Sequence, residues 1–254
     1  MNNVYVLDMN LSLVGKLENL AEGERIYSVR FMGDKGYIVT FRQVDPFFII
    51  DLSNRAEPKV AGELKIPGYS SYLHPFDENH VIGLGKENNT VKLSFFDVTN
   101  VNAPTEIAKY IVEGDWTDSE ALQEPKAFLF DRQKELLVIP ISITQYGVIS
   151  PNIVVDSKGN EYYMQGGFFQ GAYVFKLTLA GGFELRGNVT HQNITVMQYV
   201  IDQNQNEYMA YVIDSNLYVN RALYIGNTLY TVSNSKVQLN NLDTLALIAE
   251  VNLR

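Results

Sequence analysis

Ile26-Tyr27-Ser28-Val29-Arg30-Phe31, Gly36-Tyr37-Ile38-Val39-Thr40-Phe41, Phe47-Phe48-Ile49-Ile50-Asp51-Leu52-Ser53-Asn54 and Pro58-Lys59-Val60-Ala61-Gly62-Glu63-Leu64 are four apolar runs in one stretch, and the next stretch repeats their pattern. The copy runs Ser70-Ser71-Tyr72-Leu73-His74, His80-Val81-Ile82-Gly83-Leu84, Leu93-Ser94-Phe95-Phe96-Asp97-Val98-Thr99-Asn100 and Pro104-Thr105-Glu106-Ile107-Ala108-Lys109-Tyr110. The tetrads Asp-Leu-Ser-Asn and Asp-Val-Thr-Asn stand 46 residues apart, Asp51 to Asp97. Four short strands every ~40–50 residues is the period of a β-propeller blade. The second strand is apolar on both sides, with Tyr37, Val39 and Phe41 alternating with Ile38 and Thr40. A sheet with one face in water alternates apolar with polar, whereas a blade held between two others buries both faces.

Upstream, Val4–Asp8 and Ser12–Leu17 match the third and fourth strands of such a unit, with Asp8 standing where Asp51 and Asp97 stand. The expected layout is a single domain over 1–254: a half blade at 4–20, then blades at about 24–66, 68–113, 124–191 and 219–253. The third blade is interrupted by an inserted hairpin at 144–169, around the polar turn Ser157-Lys-Gly-Asn160, and an inter-blade hairpin occupies 193–214. The fold class is therefore all-β, a β-propeller of four-stranded blades, about four and a half of them present. Closure usually splits one blade between the chain ends. The leftover half blade predicts further strands upstream of this sequence, the alternatives being an open arc or pairing with a second chain.

Twenty Lys and Arg against 29 Asp and Glu leave a net charge of -9. Phosphate backbones are bound by clustered Lys and Arg, so the balance argues against nucleic acid and against an anionic membrane surface. No apolar run nears the ~20 residues of a membrane-spanning helix. With no cysteine, disulfides, thiolate metal sites and cysteine nucleophiles are excluded. The first residues, Met1-Asn-Asn-Val-Tyr-Val6, show no signal-peptide pattern.

Asp51-Leu-Ser-Asn-Arg-Ala-Glu-Pro58, Gly62–Pro75, Lys92–Thr99, Glu124–Asp131 with Leu136–Pro140, and Asn220–Gly226 with Leu229–Ser233 resemble, in this order, the prokaryotic family of secreted proteins with a C-terminal β-propeller domain, distantly related to WD repeats. The resemblance covers most of the chain outside the two hairpins and matches that family's C-terminal part. It implies an extracellular or cell-surface location and carries no catalytic residues over.

Candidate site residues come from three places. Arg30 and His74 fall at matching ends of the first strands of successive blades, where, with Arg221, they could line an anion-friendly channel mouth; the alternative is that they bond only to their neighbours. The three histidines, His74, His80 and His191, lack metal-ligand spacing. The acidic loop Glu113–Glu120 holds Trp116, which could stack on a sugar or peptide, or cover the core. Its Asp115, Asp118 and Glu120 offer oxygen ligands for calcium, but without the Asp-x-Asp-x-Asp-Gly pattern, so no cofactor and no metal is assigned. The inserted hairpins present Tyr162, Tyr163, Met164, Phe168 and Phe169, then Tyr199, Tyr208, Met209 and Tyr211; hairpin ends of this kind carry recognition or brace the rim. Asn10, Asn88, Asn188 and Asn193 head glycosylation sequons. No nucleophile elbow, dinucleotide fingerprint or phosphate loop occurs, and no catalytic residue is assigned. The functional expectation is a non-enzymatic binding or scaffolding module that recognises protein, peptide or glycan through rim loops and hairpins, of unassigned oligomeric state. The alternatives are a hydrolase or lyase acting on polysaccharide or peptide at the channel mouth, and a purely structural envelope domain.

Overall fold

The computed structural model describes residues 1–41, 45–155, 161–192, 197–201, 207–211 and 213–253; for 41, 45, 146–155, 161–166, 197–201 and 207–211 it describes the backbone only. The chain divides into two compact units, Met1–Val112 with Thr178–Phe183, and Glu113–Leu177 with Glu184–Arg254.

In the first unit, β1 (Asn2–Leu7) and β2 (Leu13–Leu20) form a two-stranded sheet. The doubled stretch forms two antiparallel four-stranded sheets, each in chain order: β3 (Arg25–Met32), β4 (Lys35–Phe41), β5 (Asp45–Asp51) and β6 (Lys59–Ile66), then β7 (Tyr69–Pro75), β8 (His80–Glu87), β9 (Thr90–Asp97) and β10 (Thr105–Ile111). The two-sided apolarity of β4 and β5 is used as expected. On one face Tyr37, Val39, Phe47 and Ile49 pack with Leu73, Val81, Phe96 and Val98 of the next sheet. On the other, Ile38, Phe48 and Ile50 pack with Leu20, Val4 and Leu17 of the preceding two-stranded sheet.

The repeated tetrads build repeated turns. Asp51 Oδ1 accepts from Ser53 N at 2.9 Å and Asp97 Oδ1 from Thr99 N at 2.8 Å, while Asn54 and Asn100 accept from Ala56 N and Asn102 N, both at 3.2 Å. These side-chain turns reverse the chain between third and fourth strands without a backbone ladder. The turn then seats on the preceding sheet. A Cβ added to Gly15 of β2 would stand 2.2 Å from Arg55 O, and one on Gly62 of β6 would stand 2.2 Å from Val101 O. Only glycine admits backbone at that distance. Thus β2 and β6 each carry a bare position for the next sheet's turn.

In the second unit, β11 (Trp116–Asp118), β12 (Leu129–Asp131), β13 (Leu136–Val155), β14 (Glu161–Thr178) and β15 (Gly182–Val189) form one sheet, ordered β11-β13-β14-β15 with β12 also on β13. β16 (Met197–Ile201) and β17 (Glu207–Tyr211) pair as a hairpin, and β18 (Arg221–Ile225), β19 (Thr228–Val232), β20 (Lys236–Asn241) and β21 (Leu247–Asn252) form a further four-stranded sheet in chain order. Leu136, Val138, Ala172, Val174 and Val189 pack with Val219, Ala222, Leu229 and Leu242 between these sheets.

Two features refine the sequence expectation. Within 144–169, β13 and β14 continue as a paired ribbon, with register shifts between Gln145 and Ile149 and again between Ile149 and Ile153. The acidic stretch is not only a loop. Trp116, Thr117 and Asp118 pair with Thr144, Ile143 and Ser142, so the blade's first strand is split into β11 and β12.

Candidate functional site

Arg30 pairs with Tyr37 in β3, and His74 with Ile82 in β7. These two strands lie side by side, for Ser28 Oγ donates to Ser70 O at 2.8 Å and the Tyr27 and Tyr69 rings sit 4.7 Å apart. Arg30 and His74 therefore come within electrostatic reach, as the repeat alignment predicts. His74 is half-buried, and its Nδ1 meets Tyr72 Oη at 3.0 Å. Burial first, then the Arg30 charge, bring its pKa down to about 4. At neutral pH the imidazole is uncharged, so Arg30 supplies the positive charge of this pair. Arg221 lies in β18, in the other unit.

His191 is buried in the second unit, with Nδ1 3.0 Å from Ser233 Oγ and Nε2 2.9 Å from Thr231 Oγ1. Burial, then Lys236, likewise bring its pKa down to about 4. Both histidines are neutral in the fold but protonate near ~6.5 in the unfolded chain. The unfolded state therefore binds protons first as pH falls. The stability they contribute is full above pH ~6.5 and is lost between there and the folded value near 4. Thermal melts over that window should show the midpoint falling with pH, and His191→Gln should flatten the fall; an unchanged slope in the variant would refute a neutral buried His191.

Most of the chemistry converges in the second unit, on a cavity of about 290 Å³ lined by Trp116, Asp118, Ser119, Glu120, Gln123, Ser142, Phe168 and Tyr218. Alternation along β11 explains the first two: Thr117 is fully buried, which turns Trp116 and Asp118 to the opposite face. Pairing with β13 sets Asp118 against Ser142. Ser119 ends the strand by capping a 3₁₀ turn, Glu120–Leu122, its Oγ accepting from Ala121 N at 3.2 Å and donating to Pro140 O at 2.6 Å. That cap, a residue type favoured at helix starts, places Glu120 and Gln123 at the rim.

The opposite wall depends on Gln170. Its buried amide donates to Val219 O at 3.0 Å and accepts from Val219 N at 2.8 Å, clamping the strap before β18 onto β14. Tyr218 is thereby held beside Phe168, ring centroids 6.0 Å apart and 28° from parallel. Gln170→Leu leaves both backbone groups of Val219 unpaired in a buried site. It should lower stability by about 1–3 kcal/mol per unpaired group at most, and hydrogen exchange at Val219 should accelerate; unchanged protection there would discount the clamp.

Of the residues singled out from sequence, Trp116, Asp118, Glu120 and Phe168 meet at this cavity. Asp115 and Phe169 are not among its lining; the Phe169 ring lies 5.5 Å from that of Tyr173. Tyr162 and Tyr163 pair through their backbones with Val154 and Ile153, and Tyr208 and Tyr211 with Val200 and Met197; their side chains lie outside those described, as do those of Met164, Tyr199 and Met209. Among the described residues no group of three or more His, Asp or Glu is placed to hold a metal ion. Sequence reading missed Ser142 and Tyr218, because neither stands near the acidic loop in the chain and only strand pairing and the Gln170 clamp bring them there. Ser119 and Gln123 had a local signal, the Ser-Glu-Ala-Leu cap pattern.

The chain is similar to an uncharacterized protein of Archaeoglobus fulgidus, 52% identical over 145 residues, 57% of this chain and 23% of that protein. It is similar also to an uncharacterized protein of Methanocaldococcus jannaschii, 50% identical over 140 residues, 55% of this chain and 22% of that one. The matched part is thus under a quarter of the length of these relatives. Among solved structures, Kluyveromyces lactis Hsv2 aligns over 91% of this chain and 64% of its own, with 11% identity and a TM-score of 0.30. The family model described as a beta propeller domain matches residues 1–245, and successive four-stranded sheets are the units such a domain is made of. The chain belongs to the beta propeller domain family.

Proposed function

We propose that this domain is a non-enzymatic binding module of an exported or cell-surface protein, holding a protein, peptide or glycan partner at the cavity of β11, β14 and the Tyr218 strap. The observation that supports this reading is the convergence there of three aromatic rings with a few polar groups, drawn from separate stretches of chain. Small-molecule and side-chain recognition sites have that composition, an apolar surround with a few placed polar groups. The Gln170 clamp holds the strap in place, so little ordering remains for a ligand to impose.

Trp116 is the single tryptophan of the sequence, so fluorescence excited selectively at tryptophan reports on this cavity. It is 38% exposed, open enough for a ligand to reach. Titration with arrays of short peptides and of chitin and cellulose fragments should give a saturable change in that fluorescence. Measured by titration calorimetry, which needs no tryptophan, Trp116→Ala should weaken the selected ligand by tenfold or more, about 1.4 kcal/mol, with the melting midpoint of the parent retained. A ligand that binds Trp116→Ala as tightly as the parent would place binding elsewhere, and a chemically altered ligand recovered after incubation would favour the hydrolase or lyase alternative.

A further inference from the structure

We infer that the cavity takes a cationic tip, the ammonium of a lysine or the guanidinium of an arginine on a basic peptide segment. This rests on the cavity being the domain's binding site. Trp116, Phe168 and Tyr218 form part of its wall, and an aromatic ring that meets a cation face-on within ~6 Å attracts it through the negative lobe of its quadrupole. Asp118 and Glu120 add two carboxylates to the same lining, and no described lining residue is Lys or Arg. An ionised carboxylate accepts hydrogen bonds and an ammonium offers three donors, so a cation is the chemically complementary guest for this lining. Size is consistent with this: about 290 Å³ is at the small end for ligand pockets and holds one side-chain tip. The net charge of -9 draws cations toward the molecule at longer range.

The test uses three probes followed by Trp116 fluorescence: a capped Gly-Lys-Gly peptide, its norleucine counterpart, and N-acetylglucosamine. The lysine peptide should give a saturable change, and its affinity should fall as salt screens the carboxylates. The double variant Asp118→Asn with Glu120→Gln should bind it roughly tenfold or more weakly. Glu120→Gln alone, at an exposed position, provides a variant whose folding is not in question, and should show a partial loss. Equal response to the norleucine peptide, or full affinity in the Glu120→Gln and double variants, overturns the inference. Saturation by N-acetylglucosamine without response to lysine overturns the cation and leaves the binding site standing. Silence with all three probes overturns the inference, and silence with the peptide and glycan arrays as well overturns the binding site with it.

Discussion

Lys92→Met should cost the protein about 3–5 kcal/mol of stability, the range measured when one member of a buried ion pair is removed. Lys92 is 2% exposed, in the middle of β9. Its Nζ lies 3.3 Å from Glu87 Oε2 and 3.2 Å from Glu106 Oε1, and donates to Pro67 O at 2.8 Å. Both carboxylate oxygens are buried and, beyond this ion pair, have no hydrogen-bond partner among the described residues. Removing the ammonium leaves two carboxylates around one buried position without their cation, each glutamate side chain being less than a fifth exposed. Urea unfolding measures the loss. The triple variant Lys92→Met, Glu87→Gln, Glu106→Gln should recover most of it, because replacing a buried charge cluster entirely is far less costly than breaking it. A loss under about 1 kcal/mol in the single variant would show that the cluster behaves as a solvated surface pair.

Phe96→Ala should cost a comparable ~3–5 kcal/mol, since a large buried aromatic is lost and a cavity remains. Phe96 is fully buried in the core shared by the sheets β3–β6 and β7–β10. Its ring stacks on Phe47 at 4.5 Å and 9°, and Phe47 in turn on Tyr37 at 5.8 Å. The side chain belongs to one repeat and most of its neighbours to the other, so the variant tests whether the repeats form one core. The transition should shift to lower denaturant as a single step. Two separate transitions, with β3–β6 melting apart from β7–β10, would mean that each sheet is held by its own contacts. By contrast, the Tyr37 hydroxyl is buried with no partner among the described residues, and burial raises its pKa. That group is a cost to the core rather than a support.

The doubled stretch Glu24–Glu113 was legible as two successive four-stranded units. The tetrads at Asp51 and Asp97 form the same turns, and the apolar runs form sheets buried on both faces. Strand alternation and Asx turns are short-range, carried within a few residues, and so survive being read without a fold. The approach of Arg30 to His74 was legible for the same reason, because superposing two repeats brings equal positions of neighbouring strands together.

The site was only half legible. An aromatic within an acidic run marked Trp116, Asp118 and Glu120, and Phe168 was marked by its aromatic neighbours. That these face one cavity depends on pairing between residues more than twenty positions apart, Trp116 with Thr144. It also depends on an amide clamp between Gln170 and Val219, 49 positions apart. Lys92 was likewise invisible, one lysine in an otherwise ordinary strand.

What the sequence determined alone was the repeating blade, through local periodicity and turn chemistry. What only the tertiary structure decided was which polar groups meet: the lysine between two glutamates, the histidine between two hydroxyls, and the aromatic and acidic walls of one cavity. The reason is physical. A blade's strands are specified by the alternation of neighbouring residues, but burial and charge belong to contacts made across sheets, whose partners the chain order does not name.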